Sequence, residues 1–275
     1  MITNLGHQVL TALLSGCSAS PVIASVTYTS GSITNLYASS IQLGTHPSPS
    51  APSATDTALY STGTYLSTVT AITPSYPAAA KVFFHGMVPP AVSDGVTFTE
   101  VGLFDAAGHL ICRQLCNVVK PTGLGVDMGI TLSLSRAAAL VVTDVGVSAL
   151  WALLAGGAGN PTVGGQSYDP TNVSNLCVGS IAVGRLTTVT SPSTADTALN
   201  DPNPYSLGSI AVTYPTASTV KFTSDIPAMS PIAGDALTEE GLFLLSGDMF
   251  ARTLAPSYAV PYGSLTAVSH TVSLT

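Results

Sequence analysis

The chain is one sequence unit written twice, and this repeat constrains the fold more than any other feature. Seven short blocks of the first half recur in the same order in the second half, at an offset of 140 residues that falls to 139 after one deletion. Residues 56–59 match residues 196–199, and residues 99–104 match residues 238–243. Such self-similarity is typical of a duplicated structural unit.

The repeat boundary predicts two domains in tandem. Residues 1–136 form the first domain and residues 142–275 the second, with an Ala-rich linker at residues 137–141. About 135 residues is an ordinary size for a single domain. We therefore expect the same fold to occur twice.

Each half begins with a short helix. Thr3 or Asn4 can cap the first helix and Gly16 can end it, and the second half repeats this pattern between residues 143 and 156. Helices this short are not stable alone, so each must dock on a sheet of its own domain or on a neighbouring subunit. The apolar stripes are Leu5, Val9, Leu10, Leu13 and Leu14 in the first half, and Val145, Ala149, Leu150, Leu153 and Leu154 in the second, with Trp151 beside it.

The remainder of each half reads as β-structure. Runs rich in Val, Ile, Thr, Tyr and Phe are broken by Pro, Gly, Ser and Asn. No alternation of strands with long helices occurs, which argues against a parallel doubly wound sheet. The predicted fold class is mainly β, as two antiparallel β-sandwich-like domains, each with a short N-terminal helix. Candidate strands are residues 36–43, 65–72, 81–85, 97–104, 110–119, 129–135, 207–214, 219–223 and 265–274.

The low charge of the chain limits its function. Charged residues make up 8% of the sequence, with seven Lys and Arg against fourteen Asp and Glu. So few basic residues cannot form a nucleic-acid-binding stripe. No apolar run approaches the ~20 residues of a membrane-spanning helix. A surface with few charges suits a subunit packed against other subunits.

A hairpin with a glycine turn is the clearest local prediction. Gly108 in the sequence Asp105-Ala106-Ala107-Gly108 suits a type I turn followed by a glycine bulge, and Gly247 takes its place in the second half. Counting outward from the turn places Glu100 opposite Arg113, within one residue.

The same count places Glu239 opposite Arg252. With so few charges, the recurrence of both members favours a cross-strand ion pair that fixes strand register. A catalytic carboxylate held by arginine is the alternative, and a single acid per half is poor equipment for hydrolysis.

Asp56 and Asp196 precede Thr-Ala-Leu in Pro/Ser-rich loops. Their side-chain oxygens suit turn or cap formation, and no oxygen ligands cluster nearby to form a metal site. The five histidines lie at no metal-binding spacing, and no nucleophile elbow or phosphate loop occurs. The sequence therefore predicts no enzyme, with no catalytic, cofactor-binding or metal residues.

The four cysteines match no zinc-binding pattern. Cys112 and Cys116 share a predicted strand but lie roughly 13 Å apart there, too far for a disulfide. We expect four reduced and mostly buried thiols, with interchain disulfides as the alternative. The other two cysteines are Cys17 and Cys177.

Taken together, these blocks resemble a family of small tailed-phage virion proteins. That family is characterised by an Asn-x-Gly helix, a Thr-Asp-Thr-Ala-Leu loop and a Glu-x-Gly-Leu-Phe-Asp…Gly-x-Leu-x-x-Arg hairpin, often followed by Lys-Pro. The first half carries every block, and the second departs at Leu244, at Glu240 and after Arg252, where no Lys-Pro follows. In the first half the blocks are Asn4 and Gly6, residues 55–59, residues 100–105, residues 108–113, and Lys120-Pro121.

The resemblance implies a structural protein of the virion, in the tail, baseplate, neck or fibre attachment. Its expected partners are copies of itself and other virion proteins, in a homo-oligomer with contacts through sheet edges and the apolar helices. Nucleic acid and membranes are not expected partners. The alternatives are a capsid decoration or head-fibre protein, and a carbohydrate- or receptor-binding module of a tail fibre. The expected location is the virion, assembled in the host cytoplasm.

Overall fold

The computed structural model describes residues 1–60, 67–69, 71–78, 81–133, 140–216 and 218–274. The protein is mainly β, with 43% strand and 13% helix, and its larger sheets are antiparallel. The predicted fold class, mainly β with antiparallel sheets and an N-terminal helix, is therefore confirmed. Residues 134–139 lie outside the described part, so most of the predicted linker at 137–141 does as well.

The first half begins with a helix and continues almost entirely in strands. Its elements are α1 (Asn4–Leu14), β1 (Val22–Ile23), β2 (Val26–Thr27), a 3-10 helix (Ser30–Leu36), β3 (Ala38–Gly44), β4 (Ser67–Val69), β5 (Thr73–Ala78), β6 (Lys81–Val88), β7 (Thr97–Asp105), β8 (Leu110–Val119) and β9 (Val126–Ser133).

The second half repeats this order. Its elements are β10 (Val141–Val142), α2 (Asp144–Leu154), β11 (Thr162–Val163), β12 (Gln166–Ser167), a 3-10 helix (Val173–Leu176), β13 (Val178–Gly184), β14 (Tyr205–Leu207), β15 (Ala211–Thr216), β16 (Thr219–Ile226), β17 (Ala236–Leu244), β18 (Met249–Ala259) and β19 (Thr266–Ser273).

The two halves share one strand order. The first half forms the sheets β4-β3-β7-β8 and β5-β6-β9, and the second forms β14-β13-β17-β18 and β15-β16-β19, with β10 added beside β18. At the place of β10 the first half has a single bridge between Ile2 and Cys112. Each of these sheets takes its strands from one half only, in agreement with the sequence repeat.

The hydrophobic core is continuous across both halves. It includes both helices and both sheets of each half in one cluster of buried residues. Helix α1 packs on β8 of its own half, on α2, and on β16 of the other half, and α2 packs correspondingly on β18 and β6. The helices therefore dock inside the chain, the first of the two sites expected for them. Their apolar stripes are buried within the chain, apart from the partly buried Leu5 and Val145.

The helix ends are built as the sequence predicts. Thr3 is the N-cap of α1 and accepts a hydrogen bond from the N–H of Gly6 at 2.9 Å, and Thr143 caps α2 in the same way. Gly16 and Gly156 follow the helices with positive φ angles of 63° and 59°. Trp151 is fully buried, as expected for a residue that packs the helix.

Two reciprocal contacts join the halves at the helix C-termini. Tyr76 on β5 donates to the carbonyl of Ala158 at 3.1 Å, and Tyr214 on β15 donates to the carbonyl of Ser18 at 2.8 Å. Tyr214 also bonds Ser15 at 2.6 Å. Each half thus extends a tyrosine to the turn that follows the helix of the other half.

The main strand prediction that fails is residues 207–214. The chain leaves β14 at Leu207 and enters β15 at Ala211 in the other sheet, because Gly208 and its neighbours carry it from one layer to the next. In the first half, residues 65–66 and 70 of the predicted strand 65–72 lie outside the described part, as do residues 134–135 of the strand 129–135.

Candidate functional site

The Asn-x-Gly block brings the start of each helix against the backbone of a strand. A Cβ atom at Gly6 would overlap the carbonyl oxygen of Ile111 on β8, and a Cβ at Gly146 would overlap that of Phe250 on β18. Glycine is therefore required by close approach, not by an unusual φ angle. The hydroxyl of Thr3 reinforces the contact by donating to the carbonyl of Leu110.

The Asp-Thr-Ala-Leu loop meets the helix at the same place. The N–H of Asn4 donates to the carbonyl of Ala54 at 2.7 Å, and the N–H of Asp144 donates to the carbonyl of Thr194 at 2.7 Å. Leu59 of the loop lies over Gly102, in a small cluster with Phe104 and Leu110. The helix, the loop and the hairpin are thus parts of one site in each half.

Arg113 ties the loop of the first half to the sheet. Its Nε donates to Glu100 Oε2 at 2.7 Å, its Nη1 donates to Asp56 Oδ2 at 2.9 Å, and its Nη2 donates to the carbonyl of Ser50 at 3.0 Å. Glu100 also accepts from the N–H of Tyr60 at 3.0 Å. We call Arg113, Glu100, Asp56 and Ser50 the first arginine cluster.

Arg252 repeats this arrangement. Its Nε and Nη2 lie 2.9 and 2.8 Å from Glu239 Oε2, and its Nη1 donates to Asp196 Oδ2 at 2.8 Å. Its Nη2 donates to the carbonyl of Thr190 at 3.0 Å and to Asn200 Oδ1 at 2.6 Å. We call Arg252, Glu239, Asp196, Thr190 and Asn200 the second arginine cluster.

Both clusters are closed to solvent at their centres. Glu100, Glu239 and Arg252 have no exposed surface and Arg113 has 1%. Hydrogen bonds to Asp56 and Glu100 outweigh burial and raise the pKa of Arg113. Burial would raise the pKa of Asp56, but the N–H of Ser53 and the Arg113 guanidinium outweigh it and lower that pKa. The first cluster therefore holds a charged arginine and a charged aspartate at neutral pH.

The predicted ion pairs are present, but the predicted strand register is wrong. Glu100 lies opposite Leu115 and Arg113 opposite Gly102, so the two partners are displaced by two residues, and the second half shows the same displacement. The loop of the hairpin is one residue longer than the count assumed, since Asp105 pairs with His109, and a β-bulge next to Phe104 adds the second residue. The long arginine side chain spans the diagonal.

The turn glycines and the loop aspartates lie where the sequence predicts. Gly108 and Gly247 have φ angles of 89° and 92°. Asp56 and Asp196 accept the N–H groups of Ser53 and Ser193 at 2.9 Å, which closes the expected turns. Their second role, the bonds to arginine, was not predicted, because it joins segments about 57 residues apart.

A second carboxylate stabilises the hairpin of the first half. Asp105 accepts the N–H of His109 at 2.8 Å, and its other oxygen lies 2.8 Å from His109 Nδ1. Burial raises the pKa of Asp105 against the opposing effect of His109. Leu244 stands at this position in the second half, where Ser246 bonds Asp248 instead. The aspartate of the hairpin block is thus a turn residue.

The cysteines are free, as expected. Cys17, Cys112 and Cys177 are buried and Cys116 is partly buried. Burial raises the pKa of Cys17 to about 11 and that of Cys116 to about 11, so these thiols stay protonated and unreactive at neutral pH.

Neither a metal-binding cluster nor a membrane-spanning helix occurs among the described residues. They contain no group of three or more His, Cys, Asp or Glu placed to hold a metal ion. They also contain no helix of the length and hydropathy needed to cross a membrane.

An open cleft of about 720 Å³ adjoins the second arginine cluster. Arg185 at its rim lies 3.0 Å from Asp235 and 3.6 Å from Asp201. The exposed side chains of Leu186 and Leu254 complete the rim. The cation of the cleft is therefore already neutralised by two carboxylates of the same half.

Comparison of the chain with protein-family models, with curated proteins and with solved structures found no match. The arrangement itself can do two things chemically. It fixes a long loop and a helix start to one strand pair, β7 with β8 or β17 with β18, and it holds that junction by charge-assisted hydrogen bonds in a buried setting. Neither step requires access for a substrate.

Proposed function

We propose that the protein is a non-enzymatic structural component of a bacteriophage virion, in the tail, baseplate, neck or fibre attachment. It acts through assembly with copies of itself and with other virion proteins. Its location is the virion, assembled in the host cytoplasm. The sequence blocks that resemble the phage family support this proposal, since they occur in both halves and in the same order.

One structural observation supports it most directly. The charged residues of these blocks are internal: Glu100, Glu239 and Arg252 have no exposed surface. A catalytic carboxylate must reach its substrate, whereas a buried arginine with its hydrogen bonds satisfied stabilises one conformation of a loop. The blocks thus recur because they build the fold of each half.

The placement of charge suits a protein that buries large surfaces. With charged residues at 8% of the sequence, and part of them enclosed in the arginine clusters, few ionic groups must be desolvated when subunits meet. Taking charged groups out of water is expensive when an interface closes. A chain of this kind can therefore form extensive contacts at low cost.

The test is the protein inventory of purified phage particles. We expect the chain in particles from a phage that encodes it, at a fixed copy number, and gold-labelled antibodies on the tail, baseplate or neck. An early, non-structural protein of the same phage is the control for contamination. Labelling on the head would replace the tail location by capsid decoration. Absence from the particles would overturn the proposal.

A further inference from the structure

Most sheet edges in the described part of the chain carry a feature that prevents pairing with another strand. The edge strands β4 and β14 have three residues each. β5 contains Pro74 and Pro77, β15 contains Pro215, and both are bulged. The outer side of β8 is met by Ile2, and that of β18 by β10. Short edges, prolines, bulges and covering segments are the devices by which proteins avoid edge-to-edge association.

Strands β9 and β19 lack all of these devices. Each has eight residues and pairs with its neighbour over its full length without a bulge. Neither contains proline or lysine, and Asp127 is the single acidic residue in the two strands. They occupy equivalent positions in the two halves, at the end of each three-stranded sheet.

The backbone groups that face outward from β9 follow from the position of a proline. Pro74 has no N–H, so its pair with Phe84 is a non-hydrogen-bonded pair, and Phe84 directs its N–H and C=O towards β9. Its partner there, Ile130, therefore bonds inward, and Thr131 directs its N–H and C=O outward.

The same register holds in the second half. Phe222 pairs with His270, as Phe84 pairs with Ile130, so Thr271 corresponds to Thr131. Both threonines have exposed side chains. No hydrogen bond from elsewhere in the described part of the chain reaches the outward backbone groups of either strand. About four residues of each strand thus present free donors and acceptors.

We propose that β9 of one copy pairs with β19 of the next copy, so that their two three-stranded sheets become one continuous sheet. The inference rests on the proposed function, because it names the contact through which the chain would assemble with itself. Equal length, the lack of bulges and the near absence of charge make the two edges compatible. Exposed serine and threonine residues on both strands can form the cross-strand contacts that stabilise such pairs.

Pairing of β9 with β19 uses both edges of each copy in one kind of contact. Pairing of β9 with β9 would leave every β19 edge open. A head-to-tail contact of this type closes into a ring when its rotation closes and otherwise extends as a filament.

The experiment uses the full chain with Thr131→Pro or Thr271→Pro. Each substitution removes an outward N–H donor and leaves the inward ladder intact, as proline at an outward position of an edge strand does. Thr131→Val and Thr271→Val are the matched controls, since they keep the N–H and the strand propensity. Sedimentation velocity measures the assembly state, and circular dichroism with thermal unfolding measures the fold.

We expect multimers from the unchanged chain and from both valine variants, and monomers from each proline variant. A mixture of the two proline variants has one free β9 and one free β19, and it should form a dimer and nothing larger. If a proline variant unfolds, the lysine variant of the same exposed threonine, Thr131→Lys or Thr271→Lys, takes its place in the mixture, because a lysine on an edge strand also opposes pairing.

Three outcomes would overturn the inference: a monomeric unchanged chain at all concentrations, proline variants that still form multimers, or a mixture that stays monomeric. A monomer that is nevertheless found in phage particles would overturn this contact and leave the proposed function standing. Multimers of a chain that is absent from particles would do the reverse.

Discussion

The two halves have the same strand order but bury different ionisable residues. In the first half the fully buried Lys120 lies 2.8 Å from Asp94, and in the second half Val260 takes the place of the lysine. In the second half Glu240 and His270 lie 3.3 Å apart between the two sheets, where the first half has Val101 and Ile130. The arginine clusters, by contrast, occur in both halves.

This difference separates what the fold needs from what it tolerates. The same strand order occurs with a lysine or a valine at one position, and with two apolar residues or a Glu–His pair at another, because each difference is confined to one contact. The arginine cluster joins a loop to a strand pair, and the same loop accepts a hydrogen bond from the helix start, so the loss of the cluster affects several elements. We therefore expect substitutions in the clusters to have the largest effects.

Arg252→Met should lower the free energy of unfolding by about 3–5 kcal/mol, because it leaves the buried carboxylate of Glu239 and the partly buried carboxylate of Asp196 without their cation. Arg113→Met should cost somewhat less, since Arg113 lacks the additional bond that Arg252 makes to Asn200 at 2.6 Å. Urea unfolding measures both. Because one core spans both halves, each variant should show a single transition.

The control for this pair is Arg185→Met. Arg185 is 30% exposed in its ion pairs, so its loss should cost less than about 1 kcal/mol. An effect of that small size for Arg252→Met would contradict the structural role of the clusters.

The second prediction exchanges the Glu–His pair for the residues of the first half. Glu240→Val with His270→Ile should raise the free energy of unfolding at pH 7 by about 1–3 kcal/mol, because two buried polar side chains, of which His270 is neutral at that pH, give way to the apolar residues that the first half packs there. His270 Nε2 is buried and has no hydrogen-bond partner in the described part of the chain. His270→Ile alone removes the imidazole nitrogen that lies 3.3 Å from the Glu240 carboxylate, and it should destabilise the protein.

The pH dependence of stability should change in the same double variant. Burial lowers the pKa of His270 to about 4 from 6.5. Between these values the unfolded chain binds a proton that the folded chain does not, so stability is full above pH 6.5 and falls as the pH falls towards 4. At about 1.4 kcal/mol per pH unit the loss is about 3 kcal/mol. A double variant with the same pH profile as the unchanged chain would show that His270 does not cause the loss.

Sequence reasoning succeeded where the information is local. The stripe from Leu5 to Leu14 and the positive φ of Gly108 each depend on residues within a few positions, and both were predicted. The register of Glu100 and Arg113 was not, because a bulge shifts the count without leaving a signal in the sequence. The bond from Arg113 to Asp56 depends on how a long loop folds over the sheet. The sequence hints at this bond only by the recurrence of both the Asp-Thr-Ala-Leu block and the arginine in the two halves.

The third prediction tests the close approach of helix and strand. Gly146→Ala and Gly6→Ala should each lower the free energy of unfolding by about 1–3 kcal/mol, because the new methyl group would overlap a backbone carbonyl that cannot turn aside. The gain in helix propensity, about 1 kcal/mol, offsets part of the cost. Gly208→Ala is the control, since open space surrounds it. Equal effects for the two helix variants would fit equivalent helix starts, and a stabilising effect in either would contradict the contact.

The smallest expected effects concern the tyrosines that join the halves. Tyr214→Phe removes a hydroxyl that bonds Ser15 at 2.6 Å and Ser18 at 2.8 Å, whereas Tyr76→Phe removes a single bond to Ala158 at 3.1 Å. A hydrogen bond contributes about 1 kcal/mol net, and the serine partner left in a partly buried site adds to the cost in the first case. Tyr214→Phe should therefore lower the free energy of unfolding more than Tyr76→Phe does, and the difference between the two variants should be about 1 kcal/mol. Urea unfolding of both variants and of the double variant checks this, and since the two contacts are separate sites, their effects should add. A larger effect of Tyr76→Phe would show that the halves are joined mainly through the contact between Tyr76 and Ala158.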